Sequence, residues 1–323
     1  MSAATPCVRA IAYALPATAA SVRDLAARGA LESAPAVLEG FGFGRVYVAE
    51  RETPYDLALA AASKLLREHE VDPGSVGLLL YGGAPAAVAF ASAADAPAAA
   101  AGVCTMDRFR YPATRLQYDL GLSAANTLAL GQLACTTLLG AVRLARALCV
   151  AEGIERVLCV ASEFYPARAG REAIFNCTSD AACAVLVERG GERNRIAGAF
   201  TVTKGYYWDP AAMRDEVVAS YFPTARHAIH RTLDAAGWRA TDVDWVIPHN
   251  VSVRSWEILF RLAALPNARL WSDNVARLGH TLAGDNFINL CDALACGAVR
   301  PGEKVLLFSY GFGAHWTGLA LEA

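Results

Sequence analysis

Cys135 stands where the apolar approach Leu130-Gly131-Gln132-Leu133-Ala134 gives way to Leu138, Val142 and Ala145 at helical spacing. A cysteine at a helix start meets unpaired N–H groups and the positive end of the helix dipole, which favour the nucleophilic thiolate over the thiol. The pattern also fits a small apolar residue packed at a helix start, because free cysteine is among the most buried residue types. His249 ends the strand-like run Trp245-Val246-Ile247-Pro248, and His280 sits in Leu278-Gly279-His280-Thr281, entering another apolar helix. A thiolate nucleophile needs a base or cation beside it, and a thioester carbonyl needs donors where its oxygen turns negative. Two histidines at loop tips can supply both, although either alone also fits a structural role.

Three further groups carry possible chemistry. Gly311-Phe312-Gly313-Ala314 follows the strand-like run Lys304 to Tyr310 and reads as a tight turn. Arg254, five residues after His249, is a cation on a helical segment. Asp285, a little more than one helical turn beyond His280, reads either as a group that orients a histidine or polarises a hydroxyl, or as a helix-surface or capping carboxylate.

In order along the chain, Cys135 after Gly131, Ser179-Asp180-Ala181-Ala182-Cys183-Ala184-Val185-Leu186-Val187-Glu188, Pro248-His249-Asn250, Gly279-His280 and Tyr310-Gly311-Phe312-Gly313-Ala314-His315-Trp316 resemble the β-ketoacyl-acyl-carrier-protein synthase III branch of the thiolase superfamily. The resemblance implies an α/β, thiolase-like, pseudo-duplicated five-layered αβαβα fold and a catalytic set of Cys135, His249 and His280. It also implies an oxyanion hole formed by the backbone N–H groups of Cys135 and Phe312, where one such donor accounts for roughly 10²–10³ in rate. Met106, Phe109 and Asp285 are assigned to the substrate pocket, with Met106 and Phe109 on a segment that in the family reaches across a dimer interface. Arg254 matches an arginine beside the tunnel mouth that meets the carrier protein. The expected partners are a second copy of the chain and an acyl carrier protein or acyl-coenzyme A as donor, with no metal and no cofactor. Phe41 to Tyr47 lacks the tryptophan with which the family contacts coenzyme A, which points to the carrier protein.

The departure that matters is His280, where decarboxylating synthases carry asparagine. A neutral histidine also donates an N–H, so C–C condensation in fatty-acid or polyketide biosynthesis is the first expectation. A histidine can equally act as base for a hydroxyl or amine acceptor, and a non-catalytic partner subunit is a further alternative that retention of the cysteine argues against.

The surrounding elements must position these groups. Strand-like and helical segments alternate from Val8 to Pro16, through Pro54 to Arg67, Val76 to Gly83 and Arg156 to Glu163, then again beyond Arg195. That alternation argues for mostly parallel sheets covered by helices, in halves 1–190 and 191–323. The second half is expected to hold a helix from Pro223 through Leu233 and one carrying His280. With 55% hydrophobic and 19% charged residues, the chain has the composition of a large packed core. A formal net charge of −2 and no long basic run give no case for nucleic acid. The reading excludes membrane association, since no uncharged apolar run reaches the roughly 18–20 residues of a span and the start lacks the form of a secretory signal. Nine scattered cysteines without CxxC spacing fit reduced thiols in the cytoplasm better than disulfides or zinc.

Overall fold

The apolar runs of the sequence become the strands of a large mixed sheet. The computed structural model describes residues 5–83, 89–90, 109–165, 169–174 and 176–323. Its first-half strands are β1 (Cys7–Ala14), β2 (Thr18–Ser21), β3 (Arg45–Val48), β4 (Leu78–Gly83), β5 (Asn126–Leu130), β6 (Arg156–Glu163), β7 (Glu172–Ala173), β8 (Asn176–Cys177) and β9 (Ala181–Glu188). The second half contributes β10 (Arg195–Thr203), β11 (Trp245–Pro248), β12 (Arg269–Leu270), β13 (Lys304–Gly311) and β14 (His315–Glu322).

Ten of these strands form one hydrogen-bonded array in the order β12-β11-β13-β14-β10-β1-β9-β6-β4-β5. Cutting it between β10 and β1 leaves two five-stranded halves of identical plan. In chain order within its half, each runs third, second, fourth, fifth, first from the outer edge inward. The cut falls at a thin seam, where β1 and β10 pair at Cys7 and Arg195.

The expectation of mostly parallel pairing is corrected. β4 pairs in parallel with β5 and β6, and β11 with β12 and β13, but β9 and β14 run antiparallel to both of their neighbours. β14 follows β13 through the short turn Phe312–Ala314, and only a parallel return requires a helix-length crossover.

Alternation along the strands sends side chains into three stacked cores, which define five layers. The middle core joins both halves: Val157, Val185 and Leu307 from the sheets meet Leu138 and Val142 of helix Thr137–Ala151 and Phe287 and Ile288 of helix Asp285–Ala295. A second core packs helices Pro54–Glu68 and Pro112–Asp119 on the outer face of the first half. A third packs helices Arg214–Ala236 and Val253–Ala263 on the outer face of the second. The segment Ala134–Ala151 is long and apolar enough to cross a membrane, yet its apolar face lies in the middle core.

Two expected helices differ. The helix expected from Pro223 begins at Arg214, with Asp215 and Glu216 in its first turn and Pro223 inside it. Acidic residues suit that positive helix end, and they were the better start signal. The helix expected to carry His280 begins at Asp285, five residues later, after a short 3₁₀ turn at Leu282–Gly284.

Candidate active site

Cys135 lies in a 3₁₀ turn, Ala134–Thr136, immediately before helix Thr137–Ala151. The turn is tied down locally: Thr136 Oγ1 donates to Leu133 O at 2.7 Å, Thr137 Oγ1 to Ala134 O at 2.7 Å, and Ser309 Oγ from β13 to Cys135 O at 3.2 Å. Gln132 and Ala134 hold positive φ of 63° and 45°, so the approach is a sharp bend. The end of β13 presses on that bend. A Cβ on Gly311 would lie 2.5 Å from Leu133 O and 3.2 Å from Cys135 N, which requires glycine there and brings the residue before Phe312 against the backbone of Cys135.

His280 reaches the same point from the second half. Its N–H donates to Cys177 O and its carbonyl accepts from Ser179 N, both at 2.8 Å, so the strand-end segment before β9 holds its backbone on both sides. The preceding Gly279 has φ +67°, and a Cβ there would meet Cys177 O at 2.8 Å. The imidazole spans two partners, with Nε2 3.2 Å from Cys135 Sγ and Nδ1 2.5 Å from Asp285 Oδ2. Burial pulls the His280 pKa down, but Asp285 and Cys135 together hold it well above the ordinary imidazole range.

Asp285 is fully buried behind His280, away from the pocket lining that the sequence reading gave it. Its Oδ2 also accepts from Asn250 N at 2.6 Å, and its Oδ1 from Thr281 N and Oγ1, both at 2.6 Å. Four donors fix the carboxylate, and the carboxylate fixes the ring.

His249 sits at the end of β11, 2% exposed, with its ring centroid 6.2 Å from that of His280. Its carbonyl accepts from Trp256 Nε1 at 3.2 Å, and its Nδ1 has no hydrogen-bond partner among the described residues. Burial, reinforced by repulsion from His280, lowers its pKa to about 4 and keeps the ring neutral at pH 7. A ladder of buried amides supports this end of the strand: Asn289 Nδ2 donates to Pro248 O and Asn250 Oδ1, and Asn250 Nδ2 to Gly279 O.

Cys135, His249 and His280 open onto a cavity of about 380 Å³. Phe312 and Tyr310 line it beside the cysteine, and exposed Arg254 lies on its wall. Phe109 is 57% exposed and edge-on to Tyr111, outside that lining, while Met106 falls outside the described residues. Among the described residues no three His, Cys, Asp or Glu side chains gather as metal ligands.

Sequence reasoning passed over Glu163 at the end of β6, which accepts from Ala283 N at 3.2 Å and whose pKa burial raises to about 7. It also passed over the supporting amides Asn250 and Asn289. No local pattern marks such groups, because their partners lie on other elements.

Chemically, an imidazole with one nitrogen on a carboxylate and the other on a thiol can take the thiol proton and later accept one from an incoming group. The tautomer follows from the Asp285 contact, which places the proton on Nδ1.

Residues 233–323 match the family described as 3-oxoacyl-[acyl-carrier-protein (ACP)] synthase III C terminal. Across 28% of this chain and 26% of the relative, the sequence is 40% identical to β-ketoacyl-[acyl-carrier-protein] synthase III 3 of Streptomyces coelicolor. With synthase III 2 of the same organism it shares 27% identity over 79% of this chain and 82% of the relative. The solved structure of ChlB3, an acyltransferase, superposes with a TM-score of 0.82 at 20% identity, covering 99% of this chain and 98% of that one. The order of the motifs and these relatives agree: residues 233–323 match the synthase III C-terminal family, and the chain as a whole is similar to β-ketoacyl-acyl-carrier-protein synthase III proteins.

Proposed function

We propose that the chain is an acyltransferase that takes an acyl group from a thioester onto Cys135 and passes it to a hydroxyl or amine acceptor. Cys135 attacks the thioester carbonyl after giving its proton to His280, and the backbone N–H groups of Cys135 and Phe312 receive the developing oxyanion. His280 returns the proton to the departing thiol. The acceptor then gives its own proton to Nε2 of the same ring as it attacks the acyl-cysteine, and the product leaves as the thiol is restored.

The observation that carries this reading is the 2.5 Å contact of Asp285 Oδ2 with His280 Nδ1. A carboxylate there makes Nε2 a stronger proton acceptor, which is the property a heteroatom acceptor requires. The second reading is decarboxylative condensation with a malonyl thioester, in which His249 and His280 both donate to the enolate oxygen. The names of the curated relatives and the low pKa of His249, about 4, favour it.

Further features support the setting. Arg254 at the cavity wall suits an acidic carrier protein as donor. β5 is an edge strand with Leu128 half exposed, and the helix Pro112–Asp119 packed against it exposes Tyr118, which suits a homodimer. The repeated strand order supports halves 1–190 and 191–323. Eight free cysteines among the described residues suit the reducing cytoplasm.

The test is intact mass after incubation with acyl thioesters, followed by a challenge of the acylated protein with alcohols, amines and malonyl thioesters. Acylation at Cys135 with discharge by alcohols or amines supports the first reading. Discharge only by malonyl thioesters, with carbon dioxide released, moves the choice to the second.

A further inference from the structure

The wall of the cavity in front of Cys135 describes the acceptor. Beyond the cysteine and histidines, Asn176, Ser252 and Ser255 add polar groups, and most of the rest is aliphatic or aromatic, chiefly Val217, Val218, Tyr221 and Phe222 of Arg214–Ala236 and Ile258 of Val253–Ala263. This lining does not stop at the protein surface. Val218 is 50% exposed and Ile258 44%, so the apolar wall continues outward as a lip. Charge in the cavity has one sign. Among the described residues no carboxylate lines it, and its one permanently charged side chain is Arg254. Asp285 itself is sealed behind the ring with all of its contacts taken.

Resting on the acyl-transfer reading above, we infer that the acceptor is an uncharged alcohol or phenol on an apolar body, whose hydroxyl meets His280 while the body lies against Val217, Tyr221 and the Val218–Ile258 lip. A cavity of about 380 Å³ is of the size that holds a small organic molecule. An alkylamine of the same shape arrives as an ammonium ion. It would have to shed its water with no anion to receive it and with Arg254 nearby, a cost that selects against it. A small hydrophilic alcohol meets no such penalty, but it gains nothing from the wall.

The experiment loads Cys135 with an acyl-N-acetylcysteamine thioester, removes excess donor and follows loss of the acyl mass increment. The acceptors are 3-phenylpropan-1-ol, 3-phenylpropan-1-amine and glycerol. Discharge by the phenyl alcohol is expected to saturate and to exceed that by the amine or glycerol by about tenfold or more, the penalty expected for an unpaired buried charge or a missing apolar contact. Val218→Asp places an anion on the lip and should reduce the alcohol-to-amine ratio several-fold, a readout that is independent of how much of the variant is active. Ile258→Ser should raise the alcohol concentration needed for half-maximal discharge. Equal discharge by all three acceptors, or an unchanged ratio in Val218→Asp, overturns the inference while leaving acyl transfer intact. Absence of discharge by any of the three, with carbon dioxide released from a malonyl thioester, overturns the underlying reading as well.

Discussion

His280 joins Cys135 to Asp285: its Nε2 lies 3.2 Å from Sγ and its Nδ1 2.5 Å from Oδ2, so one ring connects a thiol of the first half to a carboxylate of the second. Replacing Asp285 by Asn keeps the size of the side chain but removes the charge that holds the ring in its basic tautomer. Transfer from acyl-Cys135 should slow by about 10²–10⁴, as for other carboxylate-oriented histidines. Single-turnover deacylation measures this. A loss below threefold in a variant that melts within a few degrees of the wild type would remove the orienting role.

His249 gives a pH signature. Its pKa in the folded protein, about 4, lies below the 6.5 of an ordinary imidazole, so between those values the unfolded chain binds more protons than the native one. Its neutral burial is therefore compatible with full stability above pH 6.5, and stability is lost as pH falls toward 4. The contribution is roughly 3 kcal/mol at one pH unit per 1.36 kcal/mol. Urea unfolding of wild type and His249→Gln at pH 7 and pH 4.5 isolates it, because glutamine does not titrate. The variant should show a smaller fall in stability than the wild type, and parallel falls would refute the assignment.

Exposed Leu128 on edge strand β5 and Tyr118 nearby predict self-association. Sedimentation at micromolar concentration should give about twice the 34.1 kDa chain mass, with Leu128→Lys shifting the species toward monomer. A wild type that remains monomeric would contradict the dimer.

Arg254 is exposed at the cavity wall, where charge steers encounter more than it adds affinity. Loading of Cys135 from acyl carrier protein should slow in Arg254→Glu and with added salt, since screening acts over about 8 Å at physiological ionic strength. Equal or faster loading from acyl-coenzyme A would show that the carrier is not the preferred donor.

What the sequence revealed was local. β6 occupies Arg156 to Glu163 as its unbroken apolar run implied. Cys135 lies at a helix start, as the spacing required. Asp285 was harder to read. A carboxylate five residues past a histidine usually faces water, and only the 3₁₀ turn at Leu282–Gly284 folds it back onto the ring. Pro223 misled because proline marks first turns more often than helix interiors, and here the helix continues through it. The duplicated strand order left no visible trace in the residues, since many apolar sequences satisfy the same alternation.

Whether His280, set by Asp285, acts as base for a heteroatom acceptor on acyl-Cys135 is decided by carbon dioxide release and acyl discharge from pre-acylated wild type and His280→Asn, with a malonyl thioester and with an alcohol as alternative acceptors. Wild type should be discharged by the alcohol and release no carbon dioxide from the malonyl thioester. In His280→Asn the acyl-enzyme should persist, its discharge slowed by about 10²–10⁴ because asparagine cannot take the proton. Carbon dioxide release by the wild type, with condensation retained in His280→Asn, would contradict the base role of His280.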